Sequence, residues 1–394
     1  MMRWRAIFLR CALALFIFVV VLELALRLFT HEVEGHPTLF RIKLLPFERL
    51  TARHAELLAK DDRAQAYVIP DATLGWTIKP EGRSEDGMYV ADAQGFRCGA
   101  GASSAAANAK LVLLAGDSFT HGDELPYEHT WAAQLETELG TDWRVRNAGV
   151  PGYGTDQALL RAEALRATLR PDVAVLTLCR DDLLRNVNVL RSAYLHWTDM
   201  PWTKPRFVLQ SDGELALHNQ PTVPPNAVAD MVRHYDDAAQ SRIDSVYCRG
   251  FYESPWTDAS RLLRWLRSRK EHRERYEKTL RLSQSGGEGV LVSSAIVRRF
   301  IAGSRAAGIK PVVMLLPQAD DITRYRSGTP SVWKPLLDEL AGEDCVMDQG
   351  PALIQALSSA ESTEALFVNG VGHPNQRASA VIARTLAARI RASH

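Results

Sequence analysis

Two apolar rhythms alternate along this chain. Segments rich in apolar and β-branched residues at 111–115, 143–147, 173–178, 310–316 and 346–348 predict strands. Between them apolar positions recur at helical spacing. Trp131, Leu135 and Leu139 fall on one stripe, and Ala378, Ile382, Leu386 and Ile390 on another. A further helix is expected over 156–169 with Thr155 as its cap. Strands that alternate with helices imply a parallel sheet covered on its faces, so the class is α/β.

Three stretches depart from this rhythm. Residues 6–29 are apolar apart from Arg10, Glu23 and Arg27, and about 20 apolar residues cross a bilayer. Arg3, Arg5 and Arg10 lie on its leading side, which favours a cytoplasmic N-terminus and an exported remainder. Residues 1–30 are therefore expected to be an uncleaved signal anchor, with a cleaved signal peptide or a surface-lying helix as alternatives. The charged connector 31–70 follows, with a short helix expected over 48–60. From 74 to 97 the chain alternates and turns like a small β-element, and 99–110 reads as a surface linker. Residues 71–394 would form the main domain, interrupted by an insertion at about 187–287. Within it, 207–210 and 214–217 flank Ser211-Asp212-Gly213 as a hairpin. The arginine-dense segment 261–281 is either a face for anionic lipid or polysaccharide, or a solvated helix face beside a core stripe.

Charge and cysteines narrow the picture further. A net charge of +1 supplies no global field for nucleic acid, so no nucleic-acid partner is expected. No zinc spacing or P-loop occurs, and neither a metal nor a cofactor is expected. In an exported domain Cys98, Cys179, Cys248 and Cys345 would meet oxidising conditions; four thiols permit three pairings, and free buried thiols are equally compatible with the sequence. Oligomeric state and protein partners are not encoded in any pattern found.

The candidate chemistry gathers at strand ends. The run 111–115 passes into Gly116-Asp117-Ser118-Phe119-Thr120, which presents a serine at the carboxyl end of a buried strand, where open α/β sheets bind their ligands. The next strand ends in Asn147-Ala148-Gly149-Val150-Pro151-Gly152-Tyr153-Gly154, where a glycine allows a backbone N–H to approach a ligand closely. Cys179-Arg180-Asp181-Asp182 follows the third strand, and Gly372-His373-Pro374-Asn375 precedes the last helix. Serine, glycine turn, polar turn and histidine thus all fall on one edge.

These four blocks resemble the SGNH, or GDSL-type, hydrolase family. Leu74-Gly75-Trp76, Gln94-Gly95-Phe96-Arg97, Gly152-Tyr153-Gly154-Thr155-Asp156-Gln157 and His373-Pro374-Asn375 are similar to its membrane-anchored members linked to surface polysaccharides, as is 23–28 within the anchor. The resemblance implies a flavodoxin-like three-layer α/β/α domain. It also implies Ser118 as nucleophile, His373 as base, and the Ser118 and Gly152 amides as oxyanion donors. Two blocks differ from the family pattern. Asp181 stands where the family has a donor asparagine, and Gly370 stands where it has the aspartate that orients the histidine. Asn369 or a backbone carbonyl is then left to orient His373. The function expected is an extracytoplasmic (periplasmic) serine esterase or O-acyltransferase on an acylated, O-acetylated glycan or another ester. The alternative is a weak or inactive scaffold that binds glycan or an assembly partner.

Overall fold

A computed structural model describes residues 2–33, 35–59, 66–99, 101, 105–106 and 108–392, and the chain divides into two compact units. The larger comprises Ala52–Ser245 and Arg281–His394, the smaller Met1–Thr51 and Val246–Leu280. The larger unit is built on a seven-stranded sheet whose strands are numbered in chain order: β1 (Val90–Ala91), β2 (Arg97–Cys98), β3 (Lys110–Ala115), β4 (Trp143–Asn147), β5 (Val173–Cys179), β6 (Lys310–Leu316) and β7 (Val346–Asp348). Their spatial order is β7-β6-β5-β3-β4-β2-β1. The pairs among β3 to β7 are all parallel, and β1 and β2 extend the edge as antiparallel strands through Arg97 opposite Asn147.

Numbering the five parallel strands alone gives the order 2-1-3-4-5, the flavodoxin-like arrangement, whose direction reverses between β3 and β5. Side chains alternate across β3: Val112 and Leu114 join a core with Trp131, Leu135, Ile382 and Leu386, while Leu113 packs with Phe96 and Ala148 on the opposite face. Both faces are covered, which is why the strand reads as an unbroken apolar run. Helices Trp131–Leu139 and Gln376–Arg391 pack together over the first face. Helices Thr155–Leu169 and Glu288–Ala306 pack against each other and the sheet on the second.

Several sequence expectations shift in detail. Thr155 is the first residue of its helix, and Gly154 is the cap because Gln157 Oε1 accepts its N–H at 3.1 Å. The connector helix is Ala52–Ala59; Lys60, and with it residues 61–65, lies outside the described residues, as do 100, 102–104 and 107 of the expected linker. The hairpin forms as Arg206–Leu209 paired with Leu215–His218. The expected insertion is divided: its first part, to Ser245, belongs to the larger unit and Val246–Leu280 to the smaller. The five cysteines are all free thiols, with Cys179 and Cys345 buried.

In the smaller unit the helix Met2–Leu28 contains a 22-residue stretch, Ile7–Leu28, long and apolar enough to cross a membrane and exposed over most of its length, with Leu26 buried near its end. Three short antiparallel strands follow at His31–Val33, His36–Leu39 and Ile42–Lys43. Glu23, the one acid in the apolar helix, accepts hydrogen bonds from the backbone N–H groups of Arg261 (2.6 Å) and Leu262 (3.2 Å) and from Ser260 Oγ (3.0 Å). It thereby caps the arginine-rich helix Arg261–Ser283, where unpaired N–H groups favour an anion. Leu262 and Trp265 of that helix pack on Leu26, Leu39 and Leu44. That helix therefore carries a packed apolar stripe, and Arg267 and Arg273 on its other positions pair with Asp258 and Glu277.

Candidate active site

The carboxyl ends of β3, β4 and β5 bring the sequence blocks together. β3 stops at Ala115, and Asp117 caps the single turn Ser118–His121 by accepting the Phe119 N–H at 2.9 Å. Ser118 is thereby set at the first position of a helical turn, 7% exposed. Asn147, at the end of β4, ties this turn to the glycine turn. Its Nδ2 donates to the Thr120 carbonyl at 2.8 Å and its Oδ1 accepts from the Gly149 N–H at 3.0 Å. The 74–76 block buttresses the glycine turn from behind. Trp76 Nε1 donates to the Pro151 carbonyl at 2.9 Å, Tyr153 Oη to the Trp76 carbonyl at 2.7 Å, and Gln157 Nε2 to the Leu74 carbonyl at 2.7 Å.

His373 Nε2 lies 2.8 Å from Ser118 Oγ. Its other ring nitrogen, Nδ1, lies 2.8 Å from Glu124 Oε2, the same oxygen that accepts the His373 backbone N–H at 2.8 Å. A carboxylate can only accept, so the ring proton sits on Nδ1 and Nε2 is left to accept from the serine hydroxyl. Burial works to lower the His373 pKa, but Glu124, Asp123 and Asp117 outweigh it and the value is raised above its ordinary 6.5. The His373 hydrogen bond in turn holds the Glu124 pKa below its ordinary 4.5. The Phe119 ring meets the imidazole edge-on at 4.9 Å between centroids.

Glu124 reaches His373 because its loop is held from below. The buried Arg97 guanidinium donates to the carbonyls of His121 (3.0 Å), Gly122 (2.6 Å) and Leu125. Glu124 itself is in the left-handed region, φ 67°, with its N–H donating to Tyr89 Oη at 2.9 Å. Gly372 completes the fit, since a Cβ there would lie 2.3 Å from Glu124 Oε2.

The side chain that meets His373 Nδ1 is thus Glu124 and not Asn369. That residue occupies a left-handed turn, φ 51°, after which the chain folds back so that Val368 N–H donates to the His373 carbonyl at 2.9 Å. Nor is it Asp181, whose carboxylate pairs with Arg185 at 3.4 Å. Glu124 escapes a search of the residues before His373 because it belongs to the nucleophile's own segment. The only sequence signal for it is a pair of acids, Asp123 and Glu124, just after the Ser118 turn.

Ser118, Gly152, Asp181, Arg185 and His373 line one cavity of about 500 Å³. Among the described residues, neither the Ser118 nor the Gly152 N–H donates to any protein acceptor. Asp181 is part of a charge cluster rather than a lone carboxylate. Arg185, 7% exposed, donates to Asp117 (2.8 Å), Asp182 (3.4 Å), Asp181 (3.4 Å) and the Tyr153 carbonyl (3.1 Å). Burial, and then Asp117, pushes the Asp182 pKa well above the ordinary carboxylate range. Asp117, Cys179 and Asp182 have ligand atoms within 4.8 Å of one another, but Arg185 Nη1 contacts all three, so a guanidinium already fills the place a cation would take.

Residues 114–283 match the GDSL-like lipase/acylhydrolase family model. That span holds Ser118, Gly152 and Asp181, and His373 lies beyond it. No curated protein matches. Solved structures similar to this chain include the psychrotrophic esterase EstA from Pseudoalteromonas sp. (14% identity, 72% of this chain and 98% of that one, TM-score 0.35). Others are Est24, a carbohydrate acetylesterase from Sinorhizobium meliloti (12%, 72% and 100%, 0.32), and LAE5, an alpha/beta hydrolase from the Lake Arreo metagenome (15%, 73% and 97%, 0.35).

Proposed function

We propose that this chain, which carries a GDSL-like lipase/acylhydrolase domain and is accordingly an ester-bond hydrolase, works through a Ser118–His373–Glu124 relay on an O-acylated glycan outside the cytoplasm. The observation that carries the relay is the unbroken line of 2.8 Å contacts from Glu124 through His373 to Ser118. His373 Nε2 takes the hydroxyl proton as Ser118 Oγ attacks the ester carbonyl. The negative oxygen that develops faces the Ser118 and Gly152 amides. Collapse then expels the alkoxide, which receives the proton from His373 and leaves an acyl-serine. Water, deprotonated by the same histidine, completes hydrolysis; a sugar hydroxyl in its place completes O-acyl transfer.

The glycan reading is supported by Trp197, 71% exposed on the lining of the same cavity, a broad apolar face of the kind that stacks on a sugar ring. The extracytoplasmic reading is supported by the apolar stretch Ile7–Leu28 with arginines ahead of it.

Labelling with a fluorophosphonate, which reacts with activated serines, tests the relay. Label is expected on the unsubstituted chain and absent from Ser118→Ala and His373→Ala, with hydrolysis of a small aryl acetate lost in parallel. Equal labelling of the folded double variant would place the activity elsewhere.

A further inference from the structure

Beside the relay stands a cation whose one recorded partner among the described residues is an aromatic ring, that of Tyr194, 5.9 Å from the guanidinium carbon. Arg191 begins the short turn Arg191–Tyr194 and is 5% exposed, and its accessible edge lines the same cavity as Ser118 and His373. Its Nε and Nη1 are buried with no hydrogen-bond partner, and among the described residues it forms no ion pair. Its neighbour Arg185 is the opposite case, since Asp117, Asp181 and Asp182 all converge on that guanidinium. A guanidinium carries five N–H donors and no acceptor, and leaving one buried without an anion is costly.

The free side of Arg191 faces the glycine turn. A Cβ on Gly152 would lie 3.3 Å from Arg191 Nη2 and 3.4 Å from its Cζ, and Gly152, φ 79°, is the residue whose unengaged N–H borders the cavity. Arg191, Met200 and Gly152 therefore pack closely together on the lining of that cavity. Burial, with Arg185 close by, lowers the Arg191 pKa to about 10, so the side chain is still a cation at neutral pH.

We propose that Arg191 is the charged donor of the oxyanion site, holding the negative oxygen together with the Ser118 and Gly152 amides. This rests on the acyl-transfer reading above. As the Ser118 O–H bond breaks toward His373 and the Oγ–carbon bond forms, the carbonyl electron pair moves onto oxygen, and that anion is what the Arg191 N–H groups receive. No proton leaves Arg191. When the pair returns to rebuild the carbonyl the guanidinium is unpaired again, so the contact is strongest where charge is greatest, as transition-state stabilisation requires.

The test uses the full chain, a neutral aryl acetate and an aryl hemisuccinate whose acyl group carries a carboxylate. Arg191→Ala is expected to lower kcat on both esters by about 10²-fold with KM unchanged, the scale of losing one oxyanion donor. Added guanidinium ion should restore part of that loss, which a purely structural role would not allow. Arg191→Lys, which keeps charge and stem, should fall between, about tenfold below the unsubstituted chain. It also decides the matter where the alanine variant does not fold. Unchanged kcat on the neutral ester in either variant overturns the inference while leaving the esterase reading standing. So does a loss confined to KM for the hemisuccinate, which would make Arg191 a binder of substrate carboxylate. Absence of Ser118-dependent turnover in the unsubstituted chain overturns both readings.

Discussion

At the residue scale, the proposed relay turns on Glu124, whose carboxylate meets His373 Nδ1 at 2.8 Å. His373 must be neutral to accept a proton, and its pKa lies above 6.5, so turnover should fall as pH drops through that raised value. Glu124→Gln removes the charge that raises it. The acid limb should then move to lower pH while the maximal rate falls by ~10² to 10⁴, as when a triad acid is made an amide. A pH–rate profile of both forms checks this; an unmoved acid limb would remove Glu124 from the relay. For stability the signs oppose. The raised His373 pKa stabilises the fold at low pH and that contribution is lost as pH rises through it; the lowered Glu124 pKa stabilises above 4.5 and is lost as pH falls through it. The pair therefore stabilises most between the two ordinary values, 4.5 and 6.5, and thermal melts across that window should lose this component in Glu124→Gln. Asp181 acts in the other direction. Its carboxylate lies in the cavity wall, so Asp181→Asn should raise turnover about tenfold, on the order of 1.4 kcal/mol. A folded variant slower than the unsubstituted chain from pH 5 to 9 would show that Asp181 serves the reaction as a carboxylate.

At the scale of elements, Ser118 and Gly152 follow strand ends while Glu124 and His373 sit in loops, and each is aimed by a second element. Asn147 binds the glycine turn to the Ser118 turn, and Trp76 supports it from a hairpin far earlier in the chain. Arg97, on β2, holds the loop that carries Glu124. The 74–97 region, which reads in sequence as a small β-element, is thus the scaffold for two parts of the site. Gly372 is where this aim is tightest. Gly372→Ala would push its methyl group into Glu124, so kcat should fall by about tenfold or more, since small displacements of a positioned group cost that much. Circular dichroism should stay unchanged. Unaltered turnover in that variant would mean that the Glu124–His373 contact is adjustable.

At the scale of the molecule, the apolar N-terminal stretch and the site belong to separate units. The smaller unit contains the apolar stretch Ile7–Leu28, and Glu23, within that stretch, is occupied in capping the helix Arg261–Ser283. Topology is tested directly by C-terminal fusions to one reporter active only after export and one active only in the cytoplasm. Export-dependent signal is expected; signal from the cytoplasmic reporter alone would reverse the orientation. Glu23→Gln should weaken the helix cap, by about 1 kcal/mol on the usual scale for such contacts, and be read as faster proteolysis near residue 261 with esterase activity in detergent retained.

The α/β class, the parallel strands, their covering helices and the convergence of Ser118, Gly152, Asp181 and His373 on one sheet edge all follow from patterns local in sequence. Periodicity reports which faces are buried, and a parallel sheet sends every strand's carboxyl end to the same side. The partner of His373, the pairing of Asp181 with Arg185 and the lack of hydrogen bonds to Nε and Nη1 of Arg191 were decided only by tertiary structure. Glu124 and His373 are 249 positions apart, and what joins them is a left-handed loop residue, a buried arginine beneath it and a glycine that leaves room. None of these has a periodic signature. Whether a charged side chain faces solvent, a counterion or a cavity depends on which distant elements pack against it, and that is settled when the sheet closes over its helices rather than along the chain.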